Sequence, residues 1–243
     1  MQRTLKLIAA LSLMILTGCD NKEKTITVGA SSTPHALILE QTKGYISKKG
    51  YKLKVQVFND YVLPNYALEN DELDANYFQH EPYLNSFNEA NGTHLVSVFK
   101  VHFEPMGIYK GTKSTLESFS NSDKIVVPSD VSNYNRAIDL LTQYGMQGAN
   151  IVQAEAQMIP LMLQDCAYAV INGNYALSSG VVDKCLATED NTSTVALTMA
   201  NIIAVKRGHE NTKKTKLLVE AISQDNIREY INATFGASVI PMF

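Results

Sequence analysis

The sequence predicts an α/β fold. Three observations carry the expectation: a strand–helix–strand opening, its recurrence along the chain, and short apolar runs punctuated by turn residues. Residues 26–30 (ITVGA) form a short apolar run that suits a strand. Pro34 suits the first turn of a helix, where its missing N–H costs nothing. Residues 36–39 then begin an apolar face that continues through Tyr45 and Ile46, and Lys48, Lys49 and Gly50 supply the stop. Leu53, Val55 and Val57 alternate with Lys52, Lys54 and Gln56, the period of a strand with one buried face. A strand, a crossover helix and a second strand argue for a parallel sheet.

The pattern recurs with variations. Residues 65–70 and 81–90 read as helices, 95–99 and 103–109 as strands, and 125–127 as a short buried strand ended by Pro128. Residues 133–144 suit a helix with Ile138, Leu140 and Leu141 inward. Residues 156–164 read as a shorter helix, 167–171 and 202–205 as apolar strands, and 213–234 as one or two helices. There is no internal repeat. At 243 residues the chain fits one large domain or two linked lobes, with no Pro-, Gly- or Ser-rich linker between them.

The first residues have a different character. Arg3 and Lys6 precede an apolar stretch at 7–16 that is too short to span a bilayer comfortably. Leu16-Thr17-Gly18-Cys19 follows and looks like a bacterial lipoprotein box. The resemblance implies removal of 1–18, lipidation of Cys19 and a polar tether over 19–25, placing the protein on a membrane and facing the periplasm or cell exterior. Two acyl chains anchor a protein stably where one does not. Cys166 and Cys185 remain. An oxidising compartment permits a bridge between them, but spacing alone does not show that the side chains meet, which leaves two isolated thiols as the alternative.

A formal net charge of -3 excludes the basic signature of nucleic-acid binding. No Gly-x-Ser-x-Gly elbow, phosphate loop or dinucleotide fingerprint occurs, so neither an enzymatic activity nor a cofactor is expected. His80, Glu81, His94, His102 and Glu104 fall in one stretch and raise a metal-ion-transport alternative. None of them forms a tight ligand pair, and no metal site is assigned; His102 and Glu104 share a strand face.

Longer motifs shift the weight. In order they are FNDYVLPN (58–65), DANYFQHEPYL (74–84), VHFEPMGIY (101–109), VVPSDVSNYNRAIDLL (126–141), AVINGNYAL (169–177), NIIAV (201–205) and FGASVIPM (235–242). Together they resemble the methionine-binding lipoprotein family over nearly the whole chain. The resemblance implies a two-lobed periplasmic binding-protein fold with a ligand cleft between lobes. It places lobe 1 at 26–105 and 205–243 and lobe 2 at 106–204, and makes the chain the carrier for an ABC permease in the inner membrane. It also implies the ligand set. Arg136 would fork the carboxylate of methionine or a similar small amino acid, because a guanidinium offers two parallel charge-assisted bonds. Asn172 and Asn201 would serve the zwitterionic head, and Tyr61, Phe78 and His80 would form a slot for the thioether. Asn174 and Tyr175 would line the same wall.

The sequence departs from the family in three places. The stretch between the helix holding Arg136 and residues 151–160 is short, which would truncate lobe 2. Residues 197–201 read LTMAN in place of the family's Ser-Pro-Tyr-x-Asn. Tyr134-Asn135 stands where a Gly is common, so a positive φ there would be strained. With its supports altered in this way, the chain could instead be a surface lipoprotein of the same fold with an adhesion or interaction role.

Overall fold

The computed structural model describes residues 24–191 and 194–243. The 1–18 leader, Cys19 and most of the 19–25 tether lie outside them. The first strand already holds the tether's last residue: β1 (Thr25–Ser31) passes through a turn at Ser32–Ala36 into α1 (Leu37–Lys48), and β2 (Lys52–Phe58) follows. Next come α2 (Leu63–Glu69), β3 (Ala75–His80), α3 (Glu81–Asn91) and β4 (Leu95–Phe103). β1 pairs in parallel with both β2 and β3, as the strand–helix–strand opening requires.

The chain then crosses to a second sheet through Glu104, Pro105 and Met106. There β5 (Gly107–Lys110) and β6 (Lys124–Pro128) lead to α4 (Val131–Gln143), β7 (Asn150–Ala154) and a 3₁₀ stretch, Ala156–Asp165. β8 (Tyr168–Ile171), α5 (Gly173–Ser178), β9 (Cys185–Thr188) and α6 (Thr194–Thr198) complete it. The chain returns as β10 (Asn201–Lys206), α7 (Lys213–Ile222), α8 (Asp225–Phe235) and β11 (Ile240–Pro241). The strand orders are β11-β4-β10-β3-β1-β2 and β7-β6-β8-β5-β9.

Several expectations need correction. Residues 95–103 form one strand, because β4 pairs with β10 from Leu95 to His102 and with β11 at Phe103. The break comes one step later, at Pro105, which has no N–H to give a ladder. Residues 156–164 wind as 3₁₀ rather than α, with Pro160 inside the segment removing an i−4 hydrogen bond. The second crossing falls before Asn201, not after residue 204, since Asn201–Ala204 already pair with β3 and β4. β3, β7, β9 and the two-residue β11 escaped the sequence reading. β7 and β9 are edge strands whose mixed residues carry no clean alternation, whereas β3 is a central strand buried at every position. Tyr134 and Asn135 lie in helical turns of α4 without positive φ, so the expected strain is absent.

Each sheet has its own core. Ile26, Val28, Tyr77, Ile203 and Val205 from the first sheet pack against Leu39 and Ile46 of α1 and Leu218 and Ile222 of α7. Ile108, Ile125, Val127 and Val170 of the second sheet pack against Ala137, Leu140 and Leu141 of α4. Each fully buried aliphatic side chain contributes roughly 1.5–3 kcal/mol of transfer free energy, so these rows hold the two sheets rigid and leave the groove between them to the polar residues. Cys166 and Cys185 are free thiols, each turned to a backbone carbonyl: Cys166 Sγ to Met162 at 3.3 Å and Cys185 Sγ to Ala187 at 3.4 Å.

Candidate functional site

A small, partly open cavity lies between the sheets. Its walls come from both lobes. The first supplies Tyr61 from the loop after β2, Phe78 and His80 from β3, Tyr83 from α3 and Asn201 from β10. The second supplies Asn133 and Arg136 from α4, Asn172 at the end of β8, and Gly173 and Asn174 opening α5. Glu104, from the first crossing, sits between the two sets.

Tyr61, Phe78, His80, Arg136, Asn172, Asn201 and Asn174 therefore all meet at one cavity. Tyr175 does not: it stands behind Tyr61, ring centroids 4.9 Å apart, and its hydroxyl donates to the Asn59 carbonyl. The aromatic corner is Tyr61, Phe78 and Tyr83, with centroids 5.6–5.7 Å from Tyr61 to the other two rings. His80 lines the cavity and is also tied to the protein on both ring nitrogens. Its Nδ1 caps α3 by accepting from Tyr83 N–H, and its Nε2 reaches Asn133 Oδ1 at 3.2 Å. Burial first, and the nearby Arg136 charge second, push its pKa down to about 3, so it sits neutral.

Arg136 is buried, and its fork is already engaged. Nε and Nη2 donate to the two oxygens of Glu189 at 2.7 and 2.6 Å, and Nη2 also donates to the Glu104 carbonyl at 2.9 Å. The expected two-pronged grip on a ligand carboxylate is thus taken by the protein's own side chain. Nη1, which makes no hydrogen bond to any described residue, is the group left to face a ligand. Asn172 Nδ2 donates to Asn133 Oδ1 at 2.8 Å, whereas Asn172 Oδ1 is buried without a partner. A buried carbonyl oxygen without a donor costs about 1–3 kcal/mol, which a ligand N–H would recover.

Behind the cavity lies a buried polar cluster. His102 Nε2 is 2.6 Å and His35 Nε2 3.3 Å from Glu104 Oε1; His35 Nε2 is also 3.0 Å from Asn201 Oδ1. Tyr77 Oη bonds His102 Nδ1, and Ser31 Oγ lies 2.7 Å from His35 Nδ1. Of the five residues considered for a metal, only His102 and Glu104 come together. His94 is exposed beside Glu69, and Glu81 reaches toward Lys100. His35, far away in sequence, makes a third, with ligand atoms within 4.8 Å of one another. The wiring suits a carboxylate rather than a cation. Oxygen acceptors face both Nε2 atoms, which places the protons there, while the hydroxyls of Tyr77 and Ser31 donate to Nδ1. Binding metal through Nε2 would move those protons to Nδ1 and leave the buried Tyr77 hydroxyl without an acceptor.

Sequence reasoning missed Glu189, His35, Asn133 and Tyr83 in this region. Tyr83 and Asn133 had a signal, since each lies inside a quoted motif three residues from a named one. Glu189 and His35 had none, because only the fold brings them to Arg136 and His102.

Two lobes, each on its own sheet and flanking a polar–aromatic cavity, make this a periplasmic binding-protein fold. The chain belongs to the NlpA lipoprotein family, whose model matches residues 26–149 and 146–243. The two matched pieces meet in the turn between α4 and β7, where the stretch is short. That turn is made by Gly145 and Gly148 at φ of 70° and 85°, a conformation open chiefly to glycine. A methionine-binding lipoprotein of Bacillus subtilis is 32% identical over 93% of this chain and 90% of its own. Two solved structures agree. A lipoprotein from Ruminococcus gnavus is 47% identical at TM-score 0.88, covering 90% of this chain and 100% of that one. A nutrient-binding protein from Burkholderia cenocepacia bound to methionine is 33% identical at TM-score 0.82, with the same coverage. Among the described residues, no helix is long and apolar enough to cross a membrane.

Proposed function

We propose that the chain is the lipid-anchored substrate-binding component of an ABC importer for methionine or a closely related small amino acid. The observation that carries the reading is Asn172 Oδ1, a buried acceptor without a donor on the wall of a cavity that also holds Arg136. An α-amino acid presents what these groups lack: an ammonium for Asn172 Oδ1 and a carboxylate for Arg136 Nη1. Tyr61, Phe78 and Tyr83 offer ring edges and faces to a thioether, about 0.3–1.5 kcal/mol per sulfur–aromatic contact. The methionine-bound relative supports the same ligand class.

The two lobes would close over the ligand by bending at the crossings, and the closed form would dock on a permease. Cys19 would supply the membrane tether. Calorimetric titration of the full-length protein in detergent, with a panel of free amino acids, tests the reading. Methionine or an apolar neighbour is expected to bind and to raise the melting temperature, because a ligand specific to the native state stabilises it. Absence of binding across the panel would overturn it.

A further inference from the structure

The end of lobe 1 away from the cavity is basic, and the chain enters the fold there. β1 begins at Thr25 beside Lys52, the first residue of β2, and Lys52 N–H donates to the Lys24 carbonyl at 2.8 Å. α1 ends at Lys48 on the way into β2, and β10, antiparallel to β3, ends at Lys206. Both ends of α7 are tied to the same edge. Lys214 Nζ donates to Asp74 Oδ1, just before β3, at 2.8 Å, and Lys49 Nζ donates to Glu220 Oε1 at 3.3 Å. Asp71, Asp74 and Glu220 are thus taken up by Lys206, Lys214 and Lys49. An excess of cations remains. Lys48, Lys52, Arg207, Lys213 and Lys216 are exposed and make no ion pair with a described residue, against Glu72, Glu210 and Asp225.

The cavity end has the opposite sign. Burial first, and then the charges of Asp130, Asp60 and Glu155, raise the pKa of the Tyr83 hydroxyl, so three acids from both lobes gather beside the aromatic corner. With a formal net charge of -3 the chain as a whole is repelled by an anionic surface, and the basic end is the part suited to approach one. Residues 20–24 join that end to Cys19. At about 3.3–3.6 Å per residue they extend no further than about 18 Å. They are balanced in charge, Asp20 and Glu23 against Lys22 and Lys24, so the excess belongs to the folded face. A lipid on Cys19 would hold the start of β1 within about two Debye lengths of the headgroups at physiological salt.

We propose that this basic face of lobe 1 rests on anionic lipid headgroups, which lifts the cavity clear of the bilayer by the length of β1–β3, about 20 Å, into the solution that supplies the ligand. The inference rests on the lipid-anchor reading of Cys19 and adds an orientation to it. Lipid is the occupant the geometry supplies. A folded domain of 100 residues is at least about 26 Å across, more than the tether leaves between this face and the bilayer. Lysine and arginine at an anionic surface add their attractions, which decay within a Debye length.

The test is a labelling footprint on the full-length lipidated protein, reconstituted in vesicles of phosphatidylcholine alone or mixed about 2:1 with phosphatidylglycerol. Flotation shows whether the anchor holds. A membrane-impermeant amine reagent and peptide mass spectrometry then read each lysine. In the anionic vesicles Lys48, Lys52, Lys213 and Lys216 are expected to lose at least about threefold in reactivity relative to phosphatidylcholine, while Lys110 and Lys124 of lobe 2 keep theirs. Salt at about 0.5 M shortens the Debye length to about 4 Å and should remove the protection. Lys48→Gln, Lys52→Gln, Lys213→Gln and Lys216→Gln together are expected to leave flotation unchanged and to abolish the protection of Lys24. Equal reactivity in the two lipids, or equal protection of lobe 2, overturns the orientation and leaves the anchor standing. Protein that fails to float with phosphatidylcholine vesicles overturns the anchor, and the orientation with it.

Discussion

Arg136 closes its guanidinium on Glu189 at 2.7 and 2.6 Å while giving a further bond to the Glu104 carbonyl, so one side chain of α4 ties the first crossing to the segment that follows β9. Glu104 follows β4 on the way out, and Glu189 follows β9 on the way back. Both members of the pair are about 5% exposed, so removing either leaves an uncompensated buried charge. Breaking such a pair costs about 3–5 kcal/mol. At roughly 2–4 °C per kcal/mol for a chain of this size, Glu189→Ala is expected to lower the melting temperature by about 6–20 °C. Arg136→Ala is expected to lose stability and ligand binding together. Thermal melts of both variants with and without ligand check this; a melting point within a degree or two of wild type would contradict the bracing role.

Asn172 is expected to behave in the opposite way. Its Oδ1 has no partner, and the Asn133 oxygen that accepts from its Nδ2 also accepts from His80. Asn172→Ala therefore removes an unsatisfied acceptor along with one shared bond. Stability should move by no more than about 1 kcal/mol, whereas ligand affinity should fall by roughly tenfold or more. Equal losses in unfolding free energy and in affinity would mean that Asn172 is a structural residue.

Acid should destabilise the fold through three buried histidines. His35 is pushed down to about 4 and His80 and His102 to about 3, each chiefly by burial, against an ordinary value of 6.5. As pH falls below about 6.5 the unfolded chain takes up protons that the native state refuses, and stability drops until the native pKa values are reached. Each histidine adds a slope of up to about 1.4 kcal/mol per pH unit in that window. Glu104, raised by burial, works the other way above its ordinary value, because the native state then binds its proton first. Urea unfolding at pH 7 and pH 5 is expected to show the weaker fold at pH 5, and replacing His102 by Gln should flatten the difference.

Cys19 lies outside the described residues, so its role is tested in cells. Cys19→Ala is expected to abolish palmitate labelling and to shift the protein from the detergent phase to the aqueous phase. Persistence in the detergent phase would exclude this cysteine as the anchor.

The fold was legible in the sequence wherever one face of an element is buried and the other wet. β2 alternates in sequence and buries Leu53, although Val57 near its end is exposed, and α4 carries its apolar row into the second core. Legibility failed at β3, a central strand buried on both faces, and at β7 and β9, edge strands held more by backbone pairing than by side-chain pattern. The second crossing, set by resemblance after residue 204, fell inside β10, where Asn201 already pairs with His80 and His102. At the site, motif resemblance located Arg136 and Asn172 but not what holds them. Glu189 is 53 residues from Arg136, and His35 is 166 from Asn201, distances over which no local pattern operates.

Gly173 offers a test of how tightly the cavity is built. It opens α5 directly after Asn172, with ordinary negative-φ geometry, so alanine there meets no backbone strain and is the better helix former by up to about 1 kcal/mol. The obstacle is contact. The new methyl would stand 2.8 Å from Glu104 Cβ, an atom fixed to the crossing backbone and unable to swing aside as a side-chain tip could. Either α5 retreats or Glu104 moves, and in both cases Asn172, Asn174 and Glu104 change their mutual spacing. A displacement approaching 1 Å in the supports of a site weakens it sharply. Gly173→Ala is thus expected to keep the far-ultraviolet circular dichroism of wild type while losing about tenfold or more in ligand affinity. Wild-type affinity in this variant would show that the gap between α5 and Glu104 does not set the shape of the site.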